Sequence, residues 1–137
     1  MRTLLLHFFD TKDSKQAAIL QNLAKGAESN GNQVDIFAAN CDALESLHLS
    51  LYEYIAVAVT SPKFIGAKSP RRLSEILASC GTVSGKKGCA VVVKSGLSSN
   101  KMVHVVMNEL EKQGMVLDYF DVILSAEHSV AVGKNIG

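Results

Sequence analysis

Several kinds of residue are scarce in this chain of 137 residues, and the scarcity of cysteine and of net charge each excludes a class of protein. The chain has no tryptophan, two prolines and three cysteines. The cysteines, Cys41, Cys80 and Cys89, lack CxxC spacing, and their odd number argues against a disulfide framework. Acidic and basic residues nearly balance at a net charge of +1, so no charged surface points to nucleic acid or to a membrane.

Long apolar runs are also absent. The N-terminal apolar run is too short for the core of a signal peptide and soon meets Asp10. No segment approaches the roughly 20 apolar residues that a membrane-spanning helix needs. Because unpaired cysteines are typical of a reducing compartment, we expect a cytoplasmic protein. At this length we expect one domain with a single sizeable core.

Apolar runs of strand length recur along the chain. Leu4–Phe9, Tyr54–Thr60 and Cys89–Val93 are almost continuously apolar, which is typical of parallel strands covered on both faces. Gln33–Phe37 and Val116–Leu124 have aspartates among their apolar residues, which indicates half-covered edge strands. The sequence therefore predicts three central strands and two edge strands.

Helical patterns fill the intervals between these strands. Ile19, Leu23 and Ala27 form one apolar stripe, and similar spacing recurs in two later segments. The predicted helical segments are Gln16–Asn30, a shorter piece at Asp42–Leu49, one opened by Ser69 and Pro70, and one opened by Ser98 or Ser99. This alternation predicts an α/β fold with three layers. It contains a doubly wound five-stranded parallel sheet of order 2-1-3-4-5, which binds ligands beyond the carboxyl ends of strands one and three.

Three stretches of the chain resemble the flavodoxin-like family. Tyr54–Leu77 resembles the family's third strand, its Ser-Pro loop and its third helix. Gly88–Gly96 resembles the fourth strand and the second flavin loop, and Leu4–Ser14 resembles the first strand and the phosphate loop. The resemblance covers roughly residues 1–125. It implies an FMN-binding protein that exchanges electrons with a redox partner protein, or reduces small acceptors as a small oxidoreductase.

The resemblance also implies where FMN would bind. The phosphate would lie at the first loop, and the isoalloxazine ring would lie between the other two. The implied phosphate residues are Thr11, Lys12, Asp13, Ser14 and Lys15. The implied ring residues are Ser61, Pro62, Lys63, Phe64, Gly66, Ser95, Gly96, Leu97 and Ser98.

The phosphate loop departs from the family's pattern. Phe9 stands where a hydroxyl residue is expected, and Lys12 stands where a glycine would let the backbone curl around an anion. Asp10 and Asp13 would face the phosphate, and a like-charge pair at 4 Å costs about 4 kcal/mol at an effective dielectric of about 20. The two lysines of the loop can offset this repulsion. The alternative interpretation is a plain turn with Ser14 as the helix N-cap.

Other candidate residues have structural explanations. Phe64 is the single aromatic residue in either ring loop, and it either stacks on a flavin or packs into the domain. His7 lies in a buried-type strand, which favours a hydrogen-bonded core histidine, and the four histidines show no metal-ligand spacing. Thr60 and Ser61 stand where a response-regulator receiver would have its aspartate, so phosphoacceptor function is not expected.

The C-terminal segment sets a further expectation. Residues 1–125 form the predicted domain, and residues 126–137 form a tail that contains Gly133 and lacks a clear apolar stripe. We therefore expect no last helix. Without it one face of the sheet would be uncovered, which predicts a homodimer, another partner or a tail folded over that face. A flavodoxin-like domain without flavin, acting as a protein-interaction or regulatory module, is the alternative function.

Overall fold

The computed structural model describes residues 2–9, 11–39, 46–60, 71–94 and 99–137. Strands and helices alternate along these residues, as the sequence predicts. The strands are β1 (Arg2–His7), β2 (Gln33–Ala38), β3 (Tyr54–Thr60), β4 (Lys87–Val93) and β5 (Val116–Ile123). The helices are α1 (Ser14–Glu28), α2 (Arg71–Ser79), α3 (Ser99–Lys112) and α4 (Ala126–Gly133). A short 3-10 turn follows the second strand at Leu49–Leu51, and the first half of the helical piece predicted at Asp42–Leu49, 42–45, lies outside the described residues.

The five strands form one parallel sheet in the order β2-β1-β3-β4-β5. This order confirms the prediction, and it places the topological switch between β1 and β3. Central strand β3 is buried along nearly its whole length, and β4 is buried from Gly88 onwards. β2 consists of exposed and half-buried residues, and so does β5 up to its last residue, the buried Ile123, as is typical of edge strands.

Two separate apolar layers cover the sheet. On one face, Leu4, Val57 and Val92 pack with the buried residues of α2 and α3. On the other face, Leu5, Val91 and their neighbours pack with α1 and α4. The predicted stripes are confirmed, because all of their residues are buried: Ile19, Leu23 and Ala27 of α1, Leu73, Ile76, Leu77 and Cys80 of the third predicted helix, and Met102, Val106 and Leu110 of α3.

The expectation that a last helix is absent is wrong. Residues Ala126–Gly133 form α4, which lies against α1. The two helices approach so closely that a Cβ atom added to Gly26 would lie 2.7 Å from the backbone of Gly133. Glycines and small residues carry this contact, so the helix leaves almost no apolar periodicity in the sequence for a pattern to detect.

Three asparagine amides fasten the C-terminal segment. The Nδ2 atom of Asn22 donates to the Ala126 carbonyl at 2.8 Å, and that of Asn30 donates to the Lys134 carbonyl at 2.5 Å. The Asn32 amide donates to the Ile136 carbonyl at 3.2 Å. The bonds to Lys134 and Ile136 satisfy carbonyls that the exit from the helix would otherwise leave to solvent, and the bond to Ala126 ties the start of α4 to α1.

The C-terminal tail therefore covers the sheet face that was predicted to be uncovered in the absence of a last helix. Val132 and Ile136 are buried there with Ile19, Leu23 and Ile123. The reason for expecting a homodimer through this face is gone, although the oligomeric state itself stays a prediction. No helix among the described residues has the length and hydropathy needed to cross a membrane.

Candidate functional site

The candidate site lies at the carboxyl ends of β1 and β3, where the chain leaves the sheet in opposite directions. β1 ends at His7 and pairs with β2 on one side and with β3 on the other. A doubly wound sheet opens a crevice at such a switch point, and the helix that follows the first strand points its N-terminus towards it. Here that helix is α1, so the loop before Ser14 borders the crevice.

A buried histidine shapes the start of this loop. His7 is 2% exposed, and its Nδ1 atom accepts the backbone N–H of Phe9 at 3.2 Å. Burial lowers the pKa of His7, so the ring is neutral and can serve as an acceptor. The prediction of a hydrogen-bonded core histidine is confirmed. Phe9, at the position where the resemblance predicts a hydroxyl residue, is itself buried against the α1 side of the sheet.

Asp13 is the N-cap of α1. Its Oδ1 atom accepts the backbone N–H of Lys15 at 2.9 Å, and its Oδ2 atom accepts the Gln16 side-chain amide at 3.2 Å. The interpretation with Ser14 as the cap is therefore wrong, because Ser14 is the first helical residue. Both residue types cap helices well, and a carboxylate adds a favourable interaction with the positive end of the helix.

The five predicted phosphate residues are together at this helix start. Thr11, Lys12, Asp13, Ser14 and Lys15 are all exposed. The structure thus brings together the hydroxyl and lysine side chains that the sequence predicts for an anion site. The backbone N–H of Lys15, which would be a natural donor to a phosphate, is already bound to Asp13.

A flavin phosphate fits this loop on one condition. A phosphate oxygen on the Lys15 N–H would stand where the Asp13 carboxylate stands, so the Asp13 side chain would have to turn away. Asp13 is exposed and can rotate into solvent, and losing such a cap typically costs about 1 kcal/mol. The loop is therefore compatible with phosphate binding but is not preformed for it.

The predicted isoalloxazine residues lie outside the described residues. They are Ser61, Pro62, Lys63, Phe64 and Gly66 of the loop after β3, and Ser95, Gly96, Leu97 and Ser98 of the loop after β4. Both loops leave the carboxyl edge of the sheet, since their strands end at Thr60 and Val93. That edge is the one that the α1 N-terminus borders.

A second concave region was not predicted from the sequence. A groove of about 320 Å³ lies between α3 and the edge strand β5, and its wall includes His104, Phe120, Val122, Leu124 and His128. The rings of His104 and Phe120 lie 6.0 Å apart. Two histidines 24 residues apart on different helices give no spacing signal, so only the fold brings them to one groove. No cluster of three or more potential metal ligands occurs among the described residues.

Comparison with known proteins identifies the fold. No protein-family model matches the chain, and no curated protein matches its sequence. A flavodoxin from the domain Archaea has a similar structure, with a TM-score of 0.74 and 15% identity over 99% of this chain and 96% of the other. Flavodoxin 1 from Bacillus cereus gives a TM-score of 0.72 and 11% identity over 97% and 95% of the two chains.

The flavodoxin from Streptococcus pneumoniae TIGR4 is similar to the same degree. Its TM-score is 0.72 at 14% identity, and the match covers 98% of this chain and 96% of the other. Such identities establish the architecture alone. The β2-β1-β3-β4-β5 order, the two helical layers and the matches over almost the full length of these proteins lead to one conclusion: the chain has the flavodoxin-like fold.

Proposed function

We propose that this chain binds FMN at the carboxyl edge of β1, β3 and β4, and that it transfers electrons between the flavin and a redox partner. The observation that supports this most directly is the full-length match to proteins named as flavodoxins. Those proteins and this chain have nearly the same extent. The exposed lysines at the start of α1 provide positive charge where a phosphate would belong.

The residues of the loop would divide the binding task between them. Lys12 and Lys15 would balance the phosphate charge, and the hydroxyls of Thr11 and Ser14 would donate to its oxygens. Asp13 would leave the helix N-terminus and free the Lys15 N–H. FMN, when bound, would supply the electron-accepting and electron-donating chemistry, while the protein supplies binding, orientation and electrostatics.

A second candidate function is a flavodoxin-like module without flavin that acts through protein contacts. One observation favours it, which is the Asp13 carboxylate on the Lys15 N–H at 2.9 Å. An internal carboxylate at that position interacts with the positive helix end and accepts one of its N–H groups, as a phosphate would. A chain that never binds FMN has no need of an open helix terminus.

A fluorescence titration distinguishes the two functions. Flavin fluorescence is followed as protein is added to FMN and, separately, to riboflavin, which lacks the phosphate. Tighter binding of FMN than of riboflavin supports a flavin site that uses the phosphate loop. If neither the wild-type protein nor Asp13→Asn quenches FMN, the proposal is wrong and the flavin-free function stands.

Two charge variants locate the phosphate. Lys12→Glu should weaken FMN binding at least about tenfold, because it replaces attraction to the dianion with repulsion. Lys25→Glu makes the same charge change in the last turn of α1, about 15 Å further along the helix and beyond the Debye length of about 8–10 Å, so it should have little effect. Equal effects of the two variants would place the phosphate elsewhere.

Asp13→Asn tests the condition that the structure places on binding. Asparagine caps a helix about as well as aspartate but carries no charge to repel phosphate. We expect about tenfold tighter FMN binding and unchanged riboflavin binding. Glu28→Gln, which removes the same charge at the other end of α1, is the matched control.

A further inference from the structure

The strand β5 lies at one edge of the sheet. Among the described residues, β5 pairs with β4 and with no strand on its other side. The carbonyl of Ile123 faces β4, because it accepts the Lys94 N–H at 2.8 Å. In a parallel strand successive residues direct their backbone groups to opposite sides, so Val122 and Leu124 direct theirs away from the sheet. Outward groups of this kind are a template on which another strand can pair.

Two side chains cover these outward N–H groups. The Oδ1 atom of Asp121 accepts the Val122 N–H at 2.7 Å. The Nδ1 atom of His128 accepts the Leu124 N–H at 3.1 Å. We call the side chains of Asp121 and His128 the edge guard.

Neighbouring groups hold the edge guard in place. Tyr119 donates its hydroxyl to Asp121 Oδ2 at 2.8 Å, and burial together with this bond raises the pKa of Tyr119, so it stays a donor. Because His128 Nδ1 is an acceptor, the ring proton is on Nε2, which lies 3.9 Å from the same Asp121 oxygen. The backbone N–H of His128 donates to Ser125 Oγ at 3.0 Å, which sets the histidine at the start of α4.

The strand edge that carries the edge guard also has exposed apolar side chains. Phe120 is 52% exposed and Leu124 is 61% exposed. After a bulge opposite Gly88 and Cys89, the register places Phe120 and Val122 opposite Ala90 and Val92, whose side chains belong to the α2 and α3 face. Alternation puts Leu124 on that face as well. An exposed strand edge flanked by apolar side chains is a site of strand pairing unless something blocks it.

We infer that the edge guard keeps β5 from pairing with the β5 strand of a second copy of this chain. A second copy fits this edge because an antiparallel pairing about Val122 is self-complementary. It sets Phe120 of each copy opposite Leu124 of the other, on one face of a continuous sheet. The same register brings the two Asp121 carboxylates within about 7–8 Å, where they repel each other. Asp121 therefore opposes the pairing twice, by occupying the Val122 N–H and by its charge.

Amide hydrogen exchange tests the guard in the monomeric fold. In the wild-type protein the Leu124 amide should be protected although it lies at a sheet edge. His128→Ala removes the acceptor and should speed Leu124 exchange about tenfold, whereas His128→Asn keeps an acceptor and should leave it slow. Equal exchange rates in the two variants would overturn the role of His128.

Sedimentation velocity tests the pairing. Asp121→Ala with His128→Ala should dimerise at least about tenfold more tightly than wild type, and adding Phe120→Glu should return the monomer. Asp121→Asn with His128→Asn keeps both acceptors and should stay closer to wild type. A double alanine variant that is folded by circular dichroism and yet monomeric would overturn the inference. A wild-type dimer that Phe120→Glu dissociates would overturn it as well.

Discussion

The close contact between α1 and α4 gives the sharpest stability prediction. We expect Gly26→Ala to destabilise the protein, although an alanine inside a helix ordinarily stabilises it. The added Cβ would lie 2.7 Å from the C and Cα atoms of Gly133 and from the Lys134 nitrogen. These are backbone atoms, so no side chain can move aside. α4 would have to retreat by about 1 Å to reach an ordinary contact distance of about 3.5–4.0 Å.

The structure allows the size of the effect to be worked out. Overpacking a tight contact costs about 1–3 kcal/mol. A retreat of α4 also strains the three asparagine bonds to the carbonyls of Ala126, Lys134 and Ile136, each worth about 0.5–1.5 kcal/mol. The intrinsic gain of alanine over glycine in a helix, about 0.5–1 kcal/mol, acts in the opposite direction. We expect a net loss of about 2–3 kcal/mol in the free energy of unfolding.

Urea unfolding followed by far-ultraviolet circular dichroism measures this loss. Gln21→Ala, at an exposed position of the same helix, is the control and should stay within about 0.5 kcal/mol of wild type. A Cβ atom added to Gly133 would lie 2.5 Å from the Leu23 carbonyl oxygen of α1, so Gly133→Ala should destabilise the protein to a similar degree. If Gly26→Ala proves as stable as wild type, or more stable, the close packing of α4 on α1 is refuted.

Four variants test the cap and two buried groups. Asp13→Ala should lose about 1 kcal/mol of stability and Asp13→Asn only a few tenths, and equal urea midpoints for all three proteins would contradict the capping role. Burial lowers the pKa of His7, so the histidine takes up a proton at a higher pH in the unfolded chain than in the folded protein. The free energy of unfolding therefore falls as the pH drops below about 6.5. His7→Asn should flatten that decline between pH 6.5 and 5, and an unchanged slope of unfolding free energy against pH would argue against a neutral buried ring. Burial raises the pKa of Cys89 to about 12, so stability should fall as the pH rises from about 9 towards 12, and Cys89→Ala should reduce that slope by up to about 1.4 kcal/mol per pH unit. A slope identical to wild type would show that the thiol ionises freely in the folded state.

The sequence predicts the sheet well because the burial of each strand is reflected in its local succession of apolar and polar residues. Tyr54–Thr60 is predicted with its observed bounds, and β2, β4 and β5 differ from the prediction by one or two residues at one end. β1 begins and ends two residues before its predicted bounds, Leu4–Phe9. Continuous apolar runs identify β3 and β4 as central, and the interrupted runs identify β2 and β5 as edges. The strand order then follows from the winding rules for parallel sheets.

Features that depend on tertiary contact were harder to predict. The Gly26–Gly133 contact joins residues more than 100 positions apart, and glycine adds nothing to an apolar stripe. Asp13 and Ser14 are adjacent and cap helices almost equally well, so local propensity does not choose between them. The edge guard joins a strand residue to a residue in the next helix through backbone groups that no side-chain pattern reveals.

The pairing of α1 with α4 also affects the order in which the fold can be completed. Asn22 and Ala126 are separated by 104 residues, and so are the other two asparagine pairs. During synthesis β1 and α1 appear early, yet the sheet face beside α1 is not fully covered until residues 126–136 have been made. Contacts of such long sequence separation slow folding and leave apolar surface open in the meantime. This face is therefore the one that a chaperone would meet on a growing chain, and weakening the glycine contact would lengthen that exposure.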